Sequence, residues 1–334
     1  MRLKALAFTL AAAVSLIGLA GQASAARLGH GMPAEHPQAV AMKKFAEDVA
    51  KATENRVEIQ VFDGGILGGD DKMLQAAQSG TLELYIGGVA PLSGKIKEVQ
   101  IFDFPFMFAN REEAGAVLNG PIGRKMLDRM SEIGLTGLAW SEFGFRNLTN
   151  GEKPIKSVED ISGLKLRVMQ NPVALDTWKA LGANAVTMSF SEVFSALETK
   201  ALDGQENPLA HIYANRIYEV QKYITMTNHV YSPVAIVASK TWFEGLSEAD
   251  RKAVMTAAAD ASAYQAKLIA ENDGKITDQL KATGVEIDAM PEAELAKMRE
   301  IVKPVVDKYT ASVGADFVTE FTAAVEAARK GAAN

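Results

Sequence analysis

The spacing of apolar residues is the feature that most restricts how this chain folds. Stretches such as VEIQVF at 57–62 alternate apolar and polar residues with the period of two expected of a half-buried strand. Stretches such as DDKMLQAAQ at 70–78 instead repeat apolar residues at the spacing of one helix face. Because such segments alternate along most of the chain, the sequence predicts an α/β fold with helices packed on largely parallel strands.

The length of the chain predicts two lobes. It has 334 residues, more than one compact core usually holds. The longest helical pattern runs from about Glu248 to Leu280, with Ser247 as its expected N-cap. Two further helices are predicted after it.

The first 25 residues have the pattern of a secretory signal peptide. Arg2 and Lys4 precede an apolar stretch that ends at the small residues 23–25, Ala-Ser-Ala. The apolar stretch is shorter than the roughly 20 residues that a membrane span needs. We therefore expect cleavage after about Ala25 and an exported mature protein that does not itself span a membrane.

The composition argues against several functional classes. Without Arg2 and Lys4 the formal net charge falls from −6 to about −8, and no basic cluster is present, which argues against nucleic acid as a partner. The chain has no cysteine, so we expect neither disulfides nor a thiol nucleophile. Its four histidines show no metal-ligand spacing, and no nucleophile elbow or P-loop occurs. We expect no metal and no cofactor.

Arg167 is the most informative single residue. It lies in a strand pattern in which Leu164, Leu166 and Val168 form the buried face, so its side chain points away from the main core. A solvated arginine and an arginine directed at an anion both fit this pattern.

Two more polar residues stand near the predicted ends of secondary-structure elements, where α/β proteins bind ligands. Arg146 lies in FGFRNLTN, and Asn207 in the segment LDGQENP. Each has an ordinary structural alternative. Arg146 could be a solvated arginine in a loop. Asn207 could be a turn residue where a helix ends, with Gly204 as the C-cap of that helix.

Several motifs, in this order and spacing, resemble one family over essentially the whole exported chain. They are LGGDDKML at 67–74, FDFPFMF at 102–108, GLKLRVMQN at 163–171, MSFSEVFSALETKALDGQENP at 188–208 and IYEVQKYITMTNH at 217–229. The chain resembles the DctP-type extracytoplasmic solute-binding proteins of tripartite ATP-independent periplasmic (TRAP) transporters.

The resemblance implies a two-lobed periplasmic-binding-protein-like fold in which the long helix connects the lobes. Lobe I would comprise about 26–144 and 233–272, and lobe II about 145–232 and 273–334. The protein would be periplasmic, and its lobes would close on a small organic acid and deliver it to the TRAP membrane permease. The run FDFPFMF, which could suggest an aromatic binding platform, is expected to belong to the core.

The same resemblance implies a set of ligand contacts. Arg167 would pair with the ligand carboxylate, Arg146 would make a second contact to the anion, and Asn207 would hydrogen-bond it. A guanidinium suits the first role because its fork matches a carboxylate bidentately.

Three further residues have roles with a structural alternative. Asp70 would reach ligand hydroxyls or begin its helix as a cap. Phe190 would pack against the ligand or act as a hydrophobic staple beside a capping box at 189–192. His30 would line the crevice or be a packed core ring.

The nature of the ligand is narrowed by one departure from the family. Sialic-acid binders of this family carry an acidic residue where this chain has Gly87 and Gly88. Asp70, His30 and Glu142 would still offer acceptors for hydroxyl groups. We therefore expect a sugar acid such as a uronate or aldonate; C4-dicarboxylates and keto or hydroxy acids are the alternatives.

Two rival functions fit the same residues. The protein could be an exported enzyme that uses His30 or Asp70 as base, or a sensor subunit that presents the bound ligand to a receptor.

Overall fold

The computed structural model describes residues 24–331, with the side chains at positions 24 and 273 excepted. The predicted signal peptide lies outside these residues except for Ser24 and Ala25, which begin the first strand. Along the described chain no helix is long and apolar enough to cross a membrane.

Strands and helices alternate as the sequence predicts. The strands are β1 (Ser24–Gly29), β2 (Val57–Phe62), β3 (Leu84–Gly88), β4 (Leu135–Phe145), β5 (Asn147–Asn150), β6 (Lys165–Val168), β7 (Asn184–Thr187), β8 (Gly204–Asn207), β9 (Tyr223–Met226), β10 (Tyr231–Ser239) and β11 (Glu286–Ala289). The α-helices are α1 (Pro37–Ala52), α2 (Asp70–Ser79), α3 (Arg111–Leu118), α4 (Pro121–Arg129), α5 (Pro172–Ala180), α6 (Val193–Glu198), α7 (Leu209–Ala214), α8 (Lys240–Gly245), α9 (Glu248–Ala282), α10 (Glu292–Val313) and α11 (Ala315–Gly331).

The strands form two sheets. The first has the order β2-β1-β3-β10-β4, and the second has the order β11-β9-β5-β8-β6-β7. Two of the four neighbouring pairs of the first sheet and three of the five pairs of the second sheet are parallel. Strand β10 is antiparallel to β3 and β4, and β5 is antiparallel to β8 and β9. The expectation of largely parallel strands is therefore wrong in part, because β5 and β10 run opposite to the other strands of their sheets.

Each sheet is covered by helices on both faces. In β3, Leu84 and Ile86 pack into a cluster with α1 and α9, whereas Tyr85 packs into a cluster on the other face. In β6, Leu166 and Val168 pack against α5 and α10. These two layered α/β units confirm the predicted fold class.

The long helix α9 joins the two units. Its first half contributes Ala257 and Ala261 to the core of the first sheet, and its last turns contribute Ile276 and Leu280 to the core of the second. Ser247 caps it by accepting a hydrogen bond from the N–H of Asp250, as predicted.

The run at 102–108 belongs to the core, as expected, but not as a strand. A 3-10 segment covers Lys97–Asp103, and the three phenylalanines at 102, 104 and 108 are buried in the first-sheet cluster. The C-terminal helix α11 completes this cluster, because its Phe321 ring contacts Phe102 and Phe108 at 5.8 and 6.0 Å between centroids.

Candidate functional site

A cavity of about 70 Å³ lies between the two sheets. The first-sheet unit supplies Met32, Asp70, Gly88, Val89, Ala90, Pro91, Phe102, Asp103, Phe143, Ser232 and Pro233 to its wall. The second-sheet unit supplies Arg146, Arg167, Met169, Gln170, Ser189, Phe190, Asn207 and His211. Several of these residues end or follow strands β3, β6, β7 and β8, which is where open α/β sheets form ligand crevices.

Arg167 is a buried cation in the wall of this cavity. It is 4% exposed, which excludes the solvated alternative. Its Nε and Nη2 donate to the carbonyl of Met188 at 3.0 and 2.7 Å, and its guanidinium lies 5.8 Å from the ring centre of Phe190. Burial and the charge of Arg146 lower the pKa of Arg167 to about 10, so the group stays protonated at neutral pH.

The charge of Arg167 has no directly bonded counter-ion. Within residues 24–331 no carboxylate forms an ion pair with it, and Met188 supplies only a neutral carbonyl. A buried charge of this kind is unfavourable unless it is paired. The cavity therefore offers a site for an anion beside Arg167.

Arg146 has a protein partner in the same wall. Its Nε and Nη2 donate to the carboxylate of Glu206, the latter at 2.9 Å, and Nη1 donates to Ser232 at 3.2 Å. The Nε2–H of His229 donates to Glu206 at 3.1 Å, so His229 Nδ1 accepts from Thr227 at 2.8 Å. Burial opposes ionisation of Glu206, but Arg146 and His229 outweigh it and lower the pKa of Glu206 to about 2.

Asn207 and Asp70 also line the cavity. Asn207 ends strand β8 and donates through Nδ2 to the side-chain oxygen of Gln205. Asp70 is the first residue of α2, where Gly69 occupies the N-cap position, so the alternative of Asp70 as N-cap is wrong. Burial raises the pKa of Asp70, an effect that the nearby Tyr85 hydroxyl and the Arg167 charge partly offset.

Phe190 lies between the ligand cavity and two apolar clusters. It begins the 3-10 segment Phe190–Glu192, lines the cavity and packs against both cores. Ser189 makes no capping bond through its side chain, so the predicted capping box is wrong, and Phe190 is not a staple beside such a box. The Ser189 hydroxyl bonds instead to Ser191 at 3.2 Å.

Two expected cavity residues lie elsewhere. His30 is fully buried, with Nδ1 accepting from the N–H of Met32 at 3.2 Å and Nε2 3.1 Å from Asp63. Glu142 faces away from the cavity and accepts from the Tyr231 hydroxyl at 2.9 Å. The expectation that either residue lines the crevice is therefore wrong, because each side chain is engaged in another part of the first-sheet unit.

The sequence reasoning missed two titratable residues of the wall. Asp103 lies within the run at 102–108, which its aromatic pattern marks as core, and its Oδ2 accepts from Asn171 at 2.5 Å. Burial raises the pKa of Asp103 to about 7, against the effect of Arg146. His211 stands in α7 directly after the QENP segment, and this position was the available signal for it.

The described chain contains no group of three or more histidine or acidic side chains arranged to hold a metal ion. What the cavity presents is a pair of arginines, one of them without a carboxylate partner, together with amide, carboxyl, imidazole and aromatic groups. This arrangement suits a small anion that also carries hydrogen-bonding groups.

Comparison with known proteins agrees with this geometry. A family model described as bacterial extracellular solute-binding protein, family 7 (DctP), matches residues 28–312. The crystal structure of the sugar acid binding protein DctPAm from Advenella mimigardefordensis, in complex with galactonate, has a TM-score of 0.90 and 41% sequence identity. That comparison covers 92% of this chain and 99% of the other.

Two further relatives are similar over most of their length. A TRAP periplasmic solute-binding protein from a Polaromonas species, bound to D-erythronate, has a TM-score of 0.87 and 35% identity over 90% of this chain and 98% of the other. The 2,3-diketo-L-gulonate-binding periplasmic protein YiaO of Escherichia coli is 34% identical over 276 residues, which are 83% of this chain and 84% of that protein. The chain therefore belongs to the DctP family of bacterial extracellular solute-binding proteins, the periplasmic binding components of TRAP transporters.

Proposed function

We propose that this protein captures a small sugar acid, such as an aldonate or uronate, and delivers it to the membrane permease of a TRAP transporter. The observation that carries the proposal is the buried guanidinium of Arg167, which faces the cavity without a carboxylate partner in the described chain. A ligand carboxylate would supply the missing counter-charge through a charge-assisted hydrogen bond.

The remaining wall supports a ligand with hydroxyl groups. Asn207 and Asp70 offer amide and carboxyl groups to the same cavity as the two arginines, and Phe190 offers an apolar face. The relatives of known structure cited above hold galactonate and D-erythronate. In this proposal Arg167 binds the carboxylate, Arg146 and Asn207 orient it, and Asp70 contacts a hydroxyl.

The proposed mechanism is capture by closure without chemical change. The ligand enters between open lobes, and closure stabilises the bound state through contacts made only there. We propose lobe I as about 26–144 with 233–272 and lobe II as 145–232 with 273–334, except that α11 moves with lobe I because Phe321 packs in its core.

Export through cleavage after about Ala25 would bring the protein to the periplasm, and N-terminal sequencing of the secreted protein tests that step.

The first experiment measures thermal unfolding of refolded, ligand-stripped protein with aldonates, uronates, C4-dicarboxylates, keto acids and sialic acid. A ligand at 100 times its Kd should stabilise the fold by about 2.7 kcal/mol. A shift with sugar acids supports the proposal. A shift with dicarboxylates or keto acids alone contradicts the sugar-acid assignment, and no shift with any acid contradicts the proposal as a whole.

Arg167→Ala should weaken binding of the sugar acid at least tenfold, because it removes one partner of a buried charge pair. Arg167→Lys should restore little, since lysine lacks the planar fork. Arg124→Ala is the matched control, because Arg124 is an exposed helix arginine paired with Asp128 outside the cavity. Isothermal titration calorimetry of the three variants checks this, and near-native affinity in Arg167→Ala would overturn the assignment.

The rival functions predict different products and partners. An exported enzyme would return an altered ligand after incubation, whereas a transport component returns the same compound, and mass spectrometry of the recovered ligand separates them. Co-purification with a permease supports delivery to a transporter. Co-purification with a sensor kinase instead would contradict it.

A further inference from the structure

His211 is a buried residue of the cavity wall whose ring nitrogens have no hydrogen-bond partner in the described chain. It is 2% exposed, yet neither Nδ1 nor Nε2 of its ring forms a hydrogen bond within residues 24–331. Its ring instead meets the edges of Phe143 at 4.0 Å and His36 at 4.8 Å between centroids. Since buried polar atoms are almost always paired, two unpaired nitrogens at a cavity point to a bound molecule as the partner.

The charge state of His211 defines what this partner can be. Burial, reinforced by His36 and Arg146, holds the pKa of His211 well below its usual value, so the ring is neutral. A neutral imidazole has one N–H donor and one acceptor nitrogen. The Nδ1 of His36 accepts from the N–H of Gln38 at 3.1 Å, and its Nε2, like the two nitrogens of His211, is buried without a hydrogen-bond partner in the described chain. The rings of His36 and His211 meet edge-on without a hydrogen bond between them.

A hydroxyl group fits this pair of atoms better than a carboxylate does. A hydroxyl both donates and accepts, so it can bond to the imidazole in either tautomer. The second carboxylate of a dicarboxylic acid would receive only one hydrogen bond here, from the N–H of His211. It would lose its hydration against the apolar side chains of Met32, Phe143 and Phe190.

His211 and Arg167 line the same cavity, and both lie near the ring of Phe190. The ring of Phe190 lies 6.2 Å from the ring centre of His211 and 5.8 Å from the guanidinium carbon of Arg167. The cation that would bind a carboxylate and the imidazole that would bind a hydroxyl therefore flank the same aromatic side chain.

We propose that His211 selects for a polyhydroxy acid by hydrogen-bonding a hydroxyl of the ligand that Arg167 holds by its carboxylate. This inference rests on the proposed function and adds a specificity-determining residue to it. The arginines would bind a carboxylate in sugar acids and in plain dicarboxylic acids alike. His211 would therefore be the residue that favours the sugar acid over the dicarboxylic acid.

The test compares His211→Phe with the unchanged protein, using D-galactonate, D-glucuronate and succinate as probes in titration calorimetry. Phenylalanine keeps the aromatic shape and removes both polar nitrogens. We expect Kd for the sugar acid that binds to rise about 10- to 100-fold, and Kd for succinate to stay the same or fall. An equal loss for all acids, or no loss for any, would overturn the proposal.

Two further measurements keep the test decisive. The ligand-free His211→Phe protein should be at least as resistant to urea as the unchanged protein, because no hydrogen bond is lost without ligand. His211→Gln, which keeps a donor and an acceptor, should retain part of the preference for the sugar acid. If His211→Phe does not fold, the affinities of monodeoxy-galactonates for the unchanged protein and for His211→Gln provide the test. We expect the acid that lacks the hydroxyl bound by His211 to bind more weakly than the others. Equal affinity for every deoxy acid would contradict the proposal.

The two proposals fail in different ways. If the unchanged protein binds none of the acids, the proposed function is wrong. If it binds a sugar acid and His211→Phe keeps the same preference over succinate, only the role of His211 is wrong.

Discussion

Arg146 and Arg167 face the same cavity but differ in their surroundings. Glu206 neutralises Arg146 within the protein, whereas Arg167 is bonded to a neutral carbonyl. In the absence of ligand the ion pair with Glu206 therefore holds one arginine in place, and the second arginine supplies the free positive charge. Glu206 is the residue on which this division of roles depends.

Glu206→Gln should lower the free energy of unfolding of the ligand-free protein by about 3 kcal/mol at pH 7, because it leaves Arg146 buried without its counter-charge. Urea denaturation measures this. The pKa of Glu206 falls from 4.5 to about 2 on folding. Its stabilising effect is therefore fully present above pH 4.5 and is lost as the pH falls towards 2.

The difference between the unchanged protein and Glu206→Gln should accordingly shrink between pH 4.5 and pH 2. Glu159→Gln serves as the control, since Glu159 is an exposed carboxylate paired with Lys297 and should change stability little. A difference between Glu206→Gln and the unchanged protein that is the same at pH 7 and pH 2.5 would contradict the explanation.

Single residues also show where the sequence is informative and where it is not. The strand pattern at 164–169 places Arg167 off the core face, and the structure agrees. His30 and His211 both stand near turns beside the crevice, but only His211 reaches it. The spacing of residues in the sequence cannot tell which of the two histidines faces the cavity. The direction of a side chain at a turn depends on tertiary contacts such as that of His30 with Asp63.

At the scale of elements, strand β3 shows how a glycine makes room for a neighbouring aromatic ring. Tyr85 and Gly87 lie on the same face of the strand, two residues apart. A Cβ at Gly87 would lie 1.9 Å from the Tyr85 hydroxyl and 2.5 Å from its ring carbon Cζ. The buried Tyr85 ring therefore lies directly over Gly87 and leaves no room there for a larger side chain.

Gly87→Ala should destabilise the ligand-free protein by about 1–3 kcal/mol, the usual cost of overpacking a filled site. Gly88→Ala is the matched control, because no atom lies within 4 Å of the added carbon there. Thermal and urea unfolding compare the two variants, and Tyr85→Leu in the Gly87→Ala background should recover part of the loss. Equal stability of the two alanine variants would show that the Tyr85 ring moves aside at little cost.

Helix starts show how far local sequence determines an element. Ser247 caps α9 as predicted, because the cap needs only Ser247 and the next turn of the helix. Ser189 begins a similar pattern with Glu192 but forms no side-chain cap. That segment enters a 3-10 turn at the cavity, where packing of Phe190 against two cores sets the backbone.

At the scale of the whole molecule, the two units meet across the cavity. The apolar run VAIVAS at 234–239 indicates strand β10, but it carries no information on the direction of the partner strands. Strand β5 is the short segment NLTN, which has no strand pattern in the sequence, so neither antiparallel pairing could be predicted. The same limit applies to Asp103, which the sequence places in a core run. Its bond to Asn171 exists only because the second unit packs against the first.

The bond from Asn171 to Asp103 suggests how closure is stabilised. The side-chain oxygen of Asn171 caps α5 by accepting from the N–H groups of Val173 and Ala174 at 2.7 and 3.2 Å. Its side-chain nitrogen donates to Asp103 in the first-sheet unit. The two functions of Asn171 therefore use different atoms and can be separated by substitution.

Asn171→Ser should keep the cap, since serine is about as good an N-cap as asparagine, and should lose the donor to Asp103. If closure stabilises the bound state, losing one bond between the units should raise Kd for the ligand roughly twofold to tenfold, mainly through faster dissociation. Stopped-flow dissociation and urea denaturation check both parts. Asn171→Ala, which loses the cap as well, should be less stable and release ligand similarly fast. An unchanged dissociation rate in Asn171→Ser would mean that this bond forms equally in the open and closed protein.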